Sequence, residues 1–385
     1  MASLAPAAPA VPPAGKVQLK QYDARYYIIY TDLDEDAVRE AIVRMMAMAE
    51  EYHARTKDFG GTIPYKMPFK LFSNADDYYA AGGPPGSAGA FNGRELMALA
   101  SKDMGGRLWH VVQHEAFHQF AHLVITPRLP AWVNEGMAEY FAEGLWTGDG
   151  LITGVLPPGR VRRVQKLIAD KQLTNFDEMV QMPRARWNAA IDIKNYDQAW
   201  SMVHFLVHAD DGKYRDLFVS FINELARNGG VSPRDAWAKR FGANQDAFQK
   251  KCSDWWAGLG ENPTENLYTQ ATVEVLTAFL ARGAFLRQKY QTADDFFEAC
   301  KDDKLAIDPR KNGRIWLPAS LLEKELAKAR KMKTWSLETS AKTLPKLKLT
   351  LADGTIFTGT FGINAEDVSN VQVAVTKPKP TTAPK

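Results

Sequence analysis

The residues best suited to chemistry lie between positions 114 and 143. In "HEAFHQFAHLVITPRLPAWVNEG" (114–136), His114 and His118 are four apart. On a helix such residues share one face, one turn apart. Two imidazoles so placed can close on one cation at about 2.0–2.1 Å. Glu115, beside the first histidine, can then reach a water without being a ligand. That is the mechanical content of H-E-x-x-H, in which two histidines bind Zn²⁺ and the glutamate is general base. So short a pattern arises by chance, and a third ligand must decide.

His122 continues the stripe of histidines. Residues i and i+8 lie about 12 Å apart along a helix, however, so 114, 118 and 122 cannot meet on one ion. His110 fails with 114 and 118 for the same reason. Both are expected to be neighbours of the site or ordinary partly buried histidines. Glu135 is the better candidate. Pro127 and Pro130 interrupt the chain after His118 and let a second helix turn back on the first. Glu139, one turn beyond Glu135, is placed to accept the remaining ring N–H of His114 or His118, as a metal-bound histidine usually requires. Glu143 extends this i, i+4 row, a pattern that a solvated helix face also shows.

"HEAFHQ" together with "WVNEGMAEYF" resembles the gluzincins, zinc metallopeptidases with H-E-x-x-H and a downstream glutamate. "NEG" is similar to the aminopeptidase-like branch, and an acid four residues after Glu135 is similar to the thermolysin-like branch. The spacing from His118 to Glu135 is slightly shorter than is usual in either. The whole pattern most resembles bacterial peptidase-MA-like proteins, over about residues 20–258. The resemblance implies Zn²⁺ on His114, His118 and Glu135, with Glu115 as general base. "NYDQAWSMVHFLVH" (195–208) resembles the "Y-x-x-G/A" segment whose tyrosine stabilises the oxyanion, which implies that role for Tyr196. A thermolysin-like site would use a histidine instead, so His204 and His208 are the alternatives. The exopeptidase motif G-x-M-E-N is missing, and no acid is obviously placed to hold a substrate α-amine. That departure points to an endopeptidase acting on peptide or protein substrates. A catalytically weak or inactive gluzincin-fold binding protein is the alternative.

The elements that must carry these residues follow from pattern. "RYYIIYTD" (25–32) and "MPFKLFS" (67–73) read as strands. Between them, 34–56 has helical periodicity, with Asp34 or Asp36 as N-cap. "RELMALAS" (94–101) suits a strand or a short helix. Metallopeptidases usually present an edge strand to substrate, and "GSAGAF" (86–91) or "ELMALA" (95–100) fits by position. Helices are expected at 107–125 and 131–145, then at 160–171, 197–209, 213–228, 232–240 and 244–258. Trp187, Trp200, Trp237, Trp255 and Trp256 supply core bulk. Beyond "GENPTEN" (260–266), helices are expected at 267–291 and 319–333. A hairpin is expected around Asp353–Gly354, and a strand at 371–376.

The expected fold is therefore α+β. The resemblance implies a thermolysin-like domain over 16–260, with a mixed N-terminal sheet and a mostly helical second half. A small α/β accessory module fills 261–376. The Ala/Pro-rich 1–15 reads as a disordered linker, and 377–385 as a disordered tail.

Composition sets the outer limits. The chain has 385 residues, 45% hydrophobic and 24% charged, as ordinary globular proteins do. Two cysteines, Cys252 and Cys300, cannot build a disulfide framework or a cysteine-rich zinc site, so they are expected to be free. No apolar run has the roughly 18–20 residues of a membrane span. The net charge of +3 does not call for nucleic acid. Charge is uneven, though: residues 301–350 carry a surplus of seven positive charges. Within them "KELAKARKMKTW" (324–335) suits an anionic partner or a solvated helix face. The start of the chain is a poor signal peptide, and the compartment is left open between export and cytoplasm.

Overall fold

The computed structural model describes residues 18–100, 107–189, 192–227, 230–301, 315–332, 334–365 and 367–378. The segment 1–15 and the tail from 379 onward lie outside them.

The chain is α+β, with open sheets at both ends and helices between. The first sheet has the order β1-β2-β3-β5-β4, from Lys20–Asp23 (β1), Tyr27–Thr31 (β2), Met67–Phe72 (β3), Gly89–Phe91 (β4) and Leu96–Leu99 (β5). β2, β3 and β5 are parallel, and β1 and β4 close the edges antiparallel. The sheet is mixed, as expected. "ELMALA" forms the inner strand β5, and its four residues Leu96–Leu99 are all buried. The edge strand is β4, from "GSAGAF". β1 was not foreseen, because "KQYD" has no apolar alternation.

Helix α1 (Glu35–Thr56) starts at Asp34, whose side chain accepts the Ala37 N–H, and a short α2 (Ala75–Ala80) starts at Asn74 in the same way. The next helix, α3 (Arg107–Phe120), carries His114, Glu115 and His118. The expected helix continues to Ile125, but Ala121–Ile125 widens into a π-helical turn before Pro127. α4 (Ala131–Ala142) starts behind Pro130 and ends short of Gly144, because Leu145–Trp146 (β6) pairs with Leu151–Ile152 (β7).

The helical half follows as α5 (Pro158–Ala169), α6 (Phe176–Gln181), α7 (Arg184–Ala189), α8 (Ile193–Gly212), α9 (Arg215–Arg227), α10 (Pro233–Phe241) and α11 (Gln245–Ala257). α6 and α7 are too short for periodicity to reveal. Trp187, Trp200, Trp237 and Trp256 are fully buried, and Trp255 packs partly buried against the same core.

The last part is larger than a hairpin on two helices. α12 (Glu265–Phe285) is buried on nearly all sides. α13 (Ala293–Lys301) and α14 (Ala319–Ala329) follow, and α14 stops before the expected 333. Trp335–Glu338 (β8), Lys346–Thr350 (β9), Ile356–Ile363 (β10) and Val368–Thr376 (β11) then form one antiparallel sheet in the order β11-β10-β9-β8. The hairpin turn is at Asp353–Gly354, where the Asp353 carboxylate accepts the Thr355 N–H. Cys252 and Cys300 are free and buried. No helix of the described residues is long and apolar enough to cross a membrane.

Candidate metal centre

α3 is fixed from behind before its histidines are aimed. Val112, Ala116, Phe117 and Phe120 are fully buried. Tyr52 of α1 meets Phe117, Phe120 and Phe141 edge-on and donates its hydroxyl to the Gln113 carbonyl at 2.7 Å. The Gln113 amide donates in turn to the carbonyls of Phe141, Ala142 and Gly144. These carbonyls lie at and just past the end of α4, so one side chain ties the two helices together. Gly136 sets the approach of α4 to α8. A Cβ there would lie 2.5 Å from the Ala199 carbonyl oxygen.

Within this frame three donor atoms converge. His114 Nε2 and His118 Nε2 lie 3.0 Å apart. Glu135 Oε2 lies 3.4 Å from the first and 3.3 Å from the second. A tetrahedral ion bonded at about 2.0–2.1 Å spaces its ligands about 3.3–3.4 Å apart. The triangle therefore fits a small divalent cation, and all three residues are at least mostly buried. His114 Nδ1 lies 3.1 Å from Glu139 Oε1, so the ring N–H has an acceptor and Nε2 is free to face the centre.

Electrostatics agree with a cation-seeking site. Burial opposes charge on His114, but hydrogen bonds to Glu135 and Glu139 outweigh it and raise the imidazole to about 10. For Glu135 burial favours the neutral acid, and the two histidines outweigh it, holding the carboxyl well below its usual range.

Glu115 sits in the same cleft without joining the triangle. Its Oε2 accepts the Phe91 N–H at 2.9 Å, which fastens it to the sheet edge β4. Gly89 permits this approach, since a Cβ there would lie 2.5 Å from Val111. The cleft measures about 450 Å³, and Phe91, His122, Asn134, Arg184 and Tyr196 also line it. The Tyr196 ring lies 6.4 Å from that of His114 and is held edge-on by Trp187 at 5.4 Å.

The other histidines divide as follows. His122 lines the cleft against the Phe91 ring and is not in the triangle. His110 lies 3.7 Å from Glu143, away from the ligands. His110, Glu139 and Glu143 also come close enough together to hold a cation. There, however, the Arg160 guanidinium already donates to Glu139 and Glu143 at 2.5 and 2.9 Å. His204 and His208, the alternatives to Tyr196, are not in the cleft. His204 is buried, with Nε2 3.2 Å from the Gly154 carbonyl, and His208 Nε2 lies 2.9 Å from the Tyr140 hydroxyl.

Arg160 is the main residue that sequence reasoning missed. It is 5% exposed, binds Glu139 and Glu143, and its Nε lies 2.9 Å from Asp197 Oδ1. Arg163 completes the row with two hydrogen bonds to Asp197. A signal existed: Arg160 shares the inner face of α5 with Val164 and Leu167, where a charge needs a partner.

Residues 110–232 match the family described as "Protein of unknown function (DUF1570)". The match begins four residues before His114 and takes in the candidate triangle, Glu115, Glu139, Arg160 and Tyr196. No curated protein matches the chain.

Proposed function

We propose that the chain is a zinc-dependent peptide-bond hydrolase of gluzincin type, with a thermolysin-like domain over about residues 16–260. One observation carries the reading. His114 Nε2, His118 Nε2 and Glu135 Oε2 converge within 3.0–3.4 Å, in a cleft where Glu115 offers a carboxylate outside the triangle. Two imidazoles and one carboxylate suit Zn²⁺, which when bound supplies Lewis acidity and brings the pKa of water near 7.

The protein's own groups perform the rest. Glu115 takes the proton of the attacking water and delivers it to the leaving amine. The Phe91 N–H occupies Oε2 and leaves Oε1 for that transfer. Tyr196 is the donor for the oxyanion of the tetrahedral intermediate. Burial, and then the nearby Glu135, raise its phenol above the ordinary value, so the hydroxyl keeps its proton at neutral pH. Glu139 holds the His114 ring by Nδ1, and Arg160 holds Glu139. Apart from Glu115 and Glu135 no acid lines the cleft among the described residues, which leaves no anchor for a substrate α-amine and favours endopeptidase over aminopeptidase cleavage.

The test is Glu115→Gln. The variant is expected to keep about one zinc per chain by elemental analysis. Hydrolysis of a fluorogenic peptide library should fall by about 10²–10⁴-fold or more. Turnover at the parent rate would overturn the mechanism.

A further inference from the structure

The cleft contains a charge that the proposed chemistry does not use. Arg184 opens α7, lines the cleft with the metal ligands and is exposed. Its helix is fastened beside the centre. Trp187, one turn on and so on the same side of the helix, is 2% exposed and packs on Tyr196, which in turn packs on His114.

The other arginines near the site have carboxylate partners. Arg160 binds Glu139 and Glu143, Arg163 binds Asp197, and Arg186, two residues from Arg184, binds Glu178. Arg184 has no ion pair or hydrogen bond among the described residues. The acids of the cleft are engaged elsewhere, Glu115 by Phe91 and Glu135 by the two histidines.

A guanidinium stays charged at any working pH and binds a carboxylate by two parallel hydrogen bonds. We propose that Arg184 receives a carboxylate of the substrate, making the cleft selective for peptides that present one near the scissile bond. An Asp or Glu side chain and a free C-terminus both offer this group. The inference rests on the peptidase reading for its substrate class.

The experiment uses one N-acetylated hexapeptide in four forms, with Glu or Gln at its centre and a free or amidated C-terminus. kcat/KM is measured with the zinc-loaded wild type and with Arg184→Ala. Kd is measured by calorimetry with Glu115→Gln and with the double variant Glu115→Gln/Arg184→Ala. One acid form is expected to be preferred over its amide about ten- to a hundredfold, in kcat/KM and in Kd, as charge-assisted hydrogen bonds allow. Arg184→Ala should bring that ratio towards one, and Arg184→Lys should restore part of it. A preference at the central Glu assigns a side-chain pocket, and one at the C-terminus assigns a terminal carboxylate pocket.

Acid and amide treated alike by the wild type, or a preference that survives Arg184→Ala, overturns the carboxylate site while leaving hydrolysis intact. Arg184-dependent binding without cleavage of any form overturns the peptidase reading and leaves the carboxylate site standing.

Discussion

Each side chain at the centre has one task, set by which atom it turns to the cleft. The histidines present Nε2, Glu135 presents one oxygen, and Glu115 stays outside the triangle because Phe91 holds it. Tyr196, like Glu115, is a proposed participant with a separable effect, since its hydroxyl is not needed to hold the triangle. Tyr196→Phe keeps the ring against Trp187 and removes only the donor. kcat is expected to fall by about 10²–10³-fold with KM little changed, the usual size for one lost oxyanion donor. Zinc content and melting temperature should stay close to the parent's. A kcat within threefold of the parent would remove Tyr196 from the mechanism. The centre was legible at this scale where geometry is local. An i, i+4 pair on a helix meets whatever the rest of the chain does, and distance alone separates His122 from the ligands. Arg184 was not legible, because its place depends on how α7 returns to the cleft, and for Arg160 the pattern of α5 signals a buried charge but not its partners.

At the level of elements, four helices hold the centre, and buried charges join them. Arg160 on α5 faces Glu139 of α4, Glu143 just past its end, and Asp197 of α8. Arg160→Met would leave carboxylates buried without their cation. The expected cost is about 3–5 kcal/mol, read from urea unfolding. Freed from Arg160, Glu139 no longer fixes the His114 ring, so zinc affinity should drop about 10–100-fold in a competition with a chelator. Zinc affinity equal to the parent's would show that the network serves stability alone. α8 also carries a pH-sensitive pair. Burial, then Arg215 and Arg55, lower His208 to about 4, and burial, then His208, lower the adjacent His204 well below its ordinary value. A histidine kept neutral when folded contributes stability above its unfolded pKa of about 6.5, and loses it as the unfolded chain takes up the proton. Stability should therefore fall as pH drops from about 6.5 towards 4, with His208 accounting for up to about 3 kcal/mol. In His208→Gln the urea midpoint should fall less over that window, and parallel curves would exclude the assignment. The long helices were legible from periodicity and caps. The short α6 and α7 and the strands β1, β6 and β8 were not, because two to six residues hold too little pattern and their neighbours decide their state.

Over the whole molecule, the tail matters through what it shares with the part that bears the site. One buried cluster runs from Tyr27 in the first sheet through Trp132 and Trp200 to Leu276 on α12 and Leu347 on β9. Polar ties cross the same seam: Thr147 donates to Glu274 at 2.7 Å, and the Leu156 N–H donates to Thr264 at 2.9 Å. The strongest is Arg282, 3% exposed on its side chain, which binds Asp149 by two hydrogen bonds of 2.7 and 2.8 Å and donates to the Ile315 carbonyl. Nothing in the sequence announced this pairing, because its partners are 133 positions apart. The break at 260–266 falls on a loop that ends where α12 begins at Glu265, yet the core continues across it. Arg282→Met tests whether the two parts fold as one. It leaves Asp149 partly exposed, so the cost should be below that of a fully buried pair, about 2–4 kcal/mol. If the parts share one folding unit, far-ultraviolet circular dichroism, tryptophan fluorescence and loss of zinc should all shift to lower urea together, in a single transition. A variant in which zinc and tryptophan signals keep the parent midpoint while part of the helical signal melts early would show that the C-terminal region unfolds alone. That outcome would support the accessory role read from the sequence.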